Sequence, residues 1–107
     1  MERALRIEET YYGPEHVEVA RTLVNLGNAY GAMGEASKQK ELLERALRIF
    51  ETYFDREHVE VARTLVNLGN AYGDLGEAAK KKELLERALR IKETYYGPEH
   101  VDVARTL

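Results

Sequence analysis

Three histidines, His16, His58 and His100, recur every 42 residues, and a regular set of imidazoles makes metal binding the first chemistry to weigh. Equivalent positions on stacked helices start roughly 10 Å apart, whereas zinc holds its ligands about 2.0–2.1 Å from the ion. The spacing therefore predicts residues of a helix's first turn and no metal site. Nucleophilic catalysis has no better footing. The chain has no Cys, its single Ser is Ser37, and the equivalent position one period on is Ala79. There is no glycine-rich phosphate loop, and the carboxylates fall on charged helix faces with no sign of a pocket that would shift a pKa. The sequence predicts a protein that is not an enzyme and carries no cofactor. What remains is polar recognition. Arg21, Asn25 and Asn28 stand at (i, i+4, i+7) and share one face of a helix. An Asn amide both donates and accepts, matching a peptide main chain, and an Arg can fork onto a carboxylate.

The elements that would position these residues come from a repeat. Laid over itself with a shift of 42 residues, the chain is identical at 51 of 65 positions, so the repeat sets the fold. RTLVNLGNAYG stands at Arg21 to Gly31 and again at Arg63 to Gly73; ELLERALRI stands at Glu41 to Ile49 and at Glu83 to Ile91. At about 100° per residue, Val19, Leu23, Leu26, Gly27, Tyr30 and Met33 share one sector, with Gly27 as a small-residue notch. Leu42, Leu43, Ala46, Leu47, Ile49, Phe50 and Tyr53 form a second apolar stripe after the turn residue Gly34. Glu41 with Arg45, Glu44 with Arg48, Glu83 with Arg87 and Glu86 with Arg90 are (i, i+4) pairs expected to stabilise a solvated outer face. Neither helix buries its stripe alone. The fold class is therefore all-α, an αα-hairpin repeat solenoid. The expected elements are a partial second helix at 1–12, a repeat at 15–53 (helices 15–33 and 35–53), a repeat at 57–96 (helices 57–75 and 77–96) and a partial first helix at 99–107.

Leu23, Leu26-Gly27 and Tyr30, with Gly34 at the turn and Leu43, Ala46 and Leu47 beyond it, resemble the tetratricopeptide repeat. The period of 42 and the connector Tyr12-Gly13-Pro14-Glu15-His16 resemble the longer variant of the kinesin light chain type. The resemblance implies a right-handed superhelix whose first helices line a concave groove for extended peptides. Carried over residue by residue, it places Arg21, Val24, Asn25 and Asn28 on that groove from one repeat, Arg63, Val66, Asn67, Asn70 and Asp74 from the next, and Arg105 from the last fragment. The arginines imply a preference for acidic peptides. A clamp for a terminal carboxylate would be incomplete, because Val24 and Asn67 stand where a Lys and an Arg belong. Two departures from the pattern concern packing: Ala36 and Ala78 replace an aromatic, and Gln39 and Lys81 replace a small Ala. A long side chain there must turn outward or hold the helix pair apart.

Sixteen Lys+Arg against nineteen Asp+Glu give a net charge of −3, which excludes nucleic acid as the main partner. Lys80-Lys81-Lys82 accordingly reads as a solvated helix start, and Tyr11-Tyr12, Tyr53-Phe54 and Tyr95-Tyr96 read as packing between repeats. No apolar run approaches the roughly 20 residues of a membrane span, and the lack of cysteine and of a signal-like stretch points to a cytoplasmic setting. A different class of function is also open: a self-assembling structural fragment or designed repeat protein. Near-identical repeats fit recent duplication and consensus design equally. Association would run through the end helices 1–12 and 99–107. It could also run through a domain swap at Asp55-Arg56, where the other connectors have Gly-Pro and a continuous helix from Glu35 to Leu75 could form.

Overall fold

The computed structural model describes residues 2–55 and 58–96, and of Tyr96 the backbone alone. Within these residues the chain forms helices only: α1 (Glu2–Tyr12), α2 (Val17–Ala32), α3 (Ala36–Tyr53), α4 (Val59–Asp74) and α5 (Ala78–Tyr96). α2 with α3 and α4 with α5 are the tightly packed hairpins; α3 then packs on α4, and α1 on α2. The expected fragment at 99–107 lies outside the described residues, as does Arg56 of the suspected hinge. On the described side of that connector the turn is made. α3 stops at Tyr53, Phe54 is extended at φ −99°, and the His58 amide donates to the Asp55 carbonyl at 3.0 Å before α4 begins.

Each first helix starts and stops by local chemistry. His16 and His58 are N-caps, one position ahead of the first-turn role read from the sequence. Their Nδ1 atoms accept from the amides of Glu18 and Glu60 at 3.0 and 3.1 Å, which satisfies an amide that the helix itself leaves unpaired. Each cap ring is held flat by an aromatic from the preceding helix: Tyr12 lies 4.4 Å from His16 and Phe54 lies 4.0 Å from His58, centroid to centroid. The first aromatics are more exposed but also pack here: Tyr11 and Tyr53 stand edge-on to Tyr12 and Phe54 at 4.7 and 4.9 Å, and Tyr53 lies 6.4 Å from the His16 ring. At the other end Gly34 and Gly76 take φ of +80° and +82°. The amides of Glu35 and Glu77 return to the carbonyls of Tyr30 and Tyr72 at 2.9 Å, while those of Gly34 and Gly76 reach Gly31 and Gly73 at 3.0 Å. That pair of bonds is the Schellman turn, which needs a residue free to adopt left-handed angles.

The core is the two stripes joined. Leu23, Leu43, Ile49, Phe50, Leu65 and Ile91 are fully enclosed, and Ala46 and Ala88 let the helix axes approach. A Cβ on Gly27 would meet Leu43 Cγ at 3.3 Å, a tight contact that shows how closely the two helices approach at the notch. Gln39 and Lys81 do not hold the hairpins apart. Their side chains lie across Gly31 and Gly73, where a Cβ would come within 2.6 Å of the Gln39 amide and 2.7 Å of Lys81 Cδ. Bulk absent from the first helix is thus supplied by the second.

The expected (i, i+4) pairs on the second helices give way to longer connections. Arg45 reaches Glu9 of α1 at 2.5 Å, and Arg87 reaches Glu51 of α3 at 2.7 Å. Glu44 accepts from the Tyr72 hydroxyl at 2.7 Å, as Glu2 accepts from Tyr30 at 2.8 Å. Successive second helices are therefore laced together by polar groups, with a first helix beneath. Burial, then the bond to Glu44, pushes the Tyr72 hydroxyl up to about 12. The bond to Glu2 likewise raises that of Tyr30. Deprotonating either would put a phenolate against a carboxylate.

Candidate functional site

Between α2 and α4, on the side away from the second helices' outer faces, a cleft of about 280 Å³ opens over Phe50. Its walls are helical, so their order follows the 3.6-residue period. Arg21, Val24 and Asn25 come from α2; Arg63 and Asn67 come from the same positions one repeat on. Five of the ten residues expected on the groove therefore meet in one place. Asn28 and Asn70 are exposed a turn further along α2 and α4. Val66 is half-buried against the core. Asp74 lines a separate cleft with Leu75, Glu35 and Lys38 at the turn into α3. Arg105 lies outside the described residues.

Three residues of the cleft were missed by sequence reasoning. Glu60 takes Arg63 at 3.0 Å and stands 3.9 Å from Arg21 Nε, while Arg21 is held at 2.7 Å by Glu18. The (i, i+3) spacing of Glu18 to Arg21 and of Glu60 to Arg63 was the available signal. Thr64 is buried in the wall, its hydroxyl donating to the Glu60 carbonyl at 2.9 Å. Phe50 supplies the floor. Its position is one where the repeats differ, with Glu8 before it and Lys92 after it. Where the floor is Glu8, the Thr22 hydroxyl donates to that carboxylate across the helix pair. Where the floor is Phe50, Thr64 turns to its own helix. The residue at this position is thus Glu, Phe or Lys from one repeat to the next.

The cleft brings amide, guanidinium and carboxylate side chains together over an aromatic floor. Among the described residues no group of His, Cys, Asp or Glu could hold a metal ion. No helix among them is long and apolar enough to cross a membrane.

Comparison with known proteins follows the same lines. The family model for the tetratricopeptide repeat matches residues 1–52 and 40–94. Of solved structures, the chain is similar to that of a kinesin-light-chain-like protein with nearly identical TPR-like repeats from Podosopora anserina. The TM-score is 0.90 at 26% identity, over 98% of this chain and 50% of that one. A variant of the same protein gives 0.89 at 26% identity, over 98% and 50%. BtubC (BKLC) from P. vanneervenii gives 0.81 at 27% identity, over 88% of this chain and 38% of that one. The chain thus spans about half the length of the Podosopora protein or less than half that of BtubC. No curated protein matches.

Proposed function

The chain belongs to the tetratricopeptide repeat family, of the kinesin light chain type, and we propose that the groove between its first helices receives an extended peptide segment of a partner protein. Repeats of this family form protein-interaction scaffolds. The observation that carries the finer reading is the cleft itself, in which paired Asn25 and Asn67 stand over the aromatic floor of Phe50 with Arg21 and Arg63 alongside. An extended strand offers alternating N–H and C=O groups, and an amide side chain on each wall can pair with both. Phe50 is enclosed and closes the base of the cleft from below. The arginines favour an acidic neighbour, although Glu18 and Glu60 already hold them, so an incoming carboxylate must compete with an existing pair.

The test is a peptide array followed by titration of the best binder against wild type and an Asn25→Ala/Asn67→Ala variant. Both Asn side chains are outside the core, so the fold should persist. Affinity weakened by about tenfold or more supports the groove, since each lost main-chain bond is worth roughly 0.5–1.5 kcal/mol. Unchanged affinity contradicts it.

A second reading, association between copies, has its own observation. On α1, Ala4 and Ile7 are exposed, whereas their equivalents Ala46 and Ile49 are enclosed by the preceding first helix. Light scattering on an Ile7→Glu variant tests it. An oligomer lost on substitution supports association through this face; an unchanged mass, whether monomer or oligomer, contradicts it.

A further inference from the structure

The outer side of the molecule carries a second recess. α3 and α5 stand apart there, and the gap between them, about 350 Å³, is floored by Leu68 and Tyr72 of α4. Leu47 and Leu84 complete an apolar base. One end is closed by the Arg87 to Glu51 ion pair, and the Tyr72 hydroxyl is committed to Glu44. The Lys40 ammonium lies 4.8 Å from the Tyr72 ring centroid, and Lys80 is shared with Glu83 at 3.6 Å. Two guanidinium groups remain. Arg48 on the α3 wall and Arg90 on the α5 wall are exposed, and neither makes an ion pair or hydrogen bond with a described side chain. The (i, i+4) partner of Arg48 has been drawn away by Tyr72.

The same constellation stands one repeat earlier. Shifted by 42 residues, Leu68, Tyr72 and Leu84 become Leu26, Tyr30 and Leu42, and the walls become Arg6 and Arg48. The Tyr30 to Glu2 bond and the Arg45 to Glu9 pair repeat the closure. Arg48 thus belongs to two consecutive recesses, and unpaired arginines are set out singly at each step of the solenoid.

We propose that this outer row of recesses is a second docking surface, separate from the groove of the first helices, for an acidic peptide segment that places an aliphatic side chain on each leucine floor and a carboxylate against each arginine. Charge complementarity identifies the occupant. The recess presents two forks that no described carboxylate holds, since its own acids Glu44 and Glu83 are taken by Tyr72 and Lys80, and the guanidinium fork matches a carboxylate. The charges are spaced singly, one per repeat, which fits carboxylates distributed along a ligand better than the concentrated charge of one phosphate. A polyproline II segment, with three residues per turn and about 3.1 Å of rise per residue, returns the same side chain to the same face every third residue, so the ligand to test carries a Glu-Leu unit at that period.

The probe is a fluorescein-labelled peptide of three such Glu-Leu-Ser units, followed by anisotropy at low salt with the full chain. Three proteins are compared: wild type, Arg48→Ala/Arg90→Ala, and Asn25→Ala/Asn67→Ala. The arginines are exposed, and circular dichroism confirms that the variant is folded. The expected result is about a tenfold or greater loss of affinity on removing Arg48 and Arg90, and less than about a twofold change on removing the asparagines. A peptide with Gln for each Glu should lose binding to the same extent as the arginine variant. Loss confined to the asparagine variant would move the peptide to the inner groove and overturn the proposal. So would no binding to wild type, equal binding by all three proteins, or tighter binding of a peptide with one phosphoserine in place of its glutamates.

Discussion

The inner cleft and the outer recess are built from the same alphabet, yet their arginines are in opposite states. Arg21 and Arg63 on the inner face each find an acid three residues before them, Glu18 at 2.7 Å and Glu60 at 3.0 Å. Arg48 on the outer face has an acid four residues before it, but Tyr72 has taken Glu44; Arg90 makes no ion pair with Glu86, which stands at the same spacing. A charged residue's availability is therefore fixed by what competes for its partner, which local spacing along one helix does not reveal. The floors differ too. The inner floor is one residue that changes from repeat to repeat, Glu8, Phe50, Lys92; the outer floor is Leu, Leu and Tyr in both repeats described.

The heaviest blow to this contrast falls on the inner floor. Phe50 is 2% exposed and touches both hairpins, so Phe50→Ala should cost about 3–5 kcal/mol of stability by urea denaturation. A cost below about 1 kcal/mol would mean the cleft collapses without it.

Tyr72→Phe breaks the bond that frees Arg48 and should cost about 1.5 kcal/mol, because the acceptor is charged and partly enclosed. It also carries a pH signature. Tyrosine in the unfolded chain ionises near 10.0, and Tyr72 in the folded chain near 12. The stabilisation from burying the neutral phenol and bonding it to Glu44 is whole below pH 10 and is lost as pH rises through about 12. The stability difference between wild type and Tyr72→Phe should shrink over that window; a difference independent of pH would contradict the assignment.

His58→Ala removes an N-cap and should cost about 1 kcal/mol by the same measurement. It lies at the mouth of neither site, so peptide affinity should be unchanged. Smallest of all is the effect of Arg48→Ala/Arg90→Ala on folding, within about 0.5 kcal/mol, since these side chains hold nothing within the described residues. A larger loss of stability would show that they are paired in solution.

Much of this was legible in the sequence for physical reasons. A period of 42 with apolar stripes at helical spacing requires paired helices, and Gly34 and Gly76 mark the turns because few other residues tolerate their angles. α2 and α4 begin two residues inside the expected bounds, since His16 and His58 serve as caps rather than first-turn residues. Arg21, Asn25, Arg63 and Asn67 reach one cleft because they share a helix face. What local patterns could not supply were contacts between turns of the solenoid. Arg45 finds Glu9 and Arg87 finds Glu51 at a separation of 36 residues; Tyr72 finds Glu44 at 28. These depend on how far each repeat rotates past the last. Gln39 against Gly31 is similar: the long side chain fits because the facing position on the first helix is a glycine, which is visible only when the helices are seen together.

The most direct test of the groove is amide chemical-shift mapping of the full chain titrated with the best peptide from the array, each of about ten residues. The account predicts shifts concentrated on Arg21, Asn25, Arg63, Asn67 and the backbone around Phe50. Shifts confined to the outer faces of α3 and α5, or spread evenly along the chain, would contradict it.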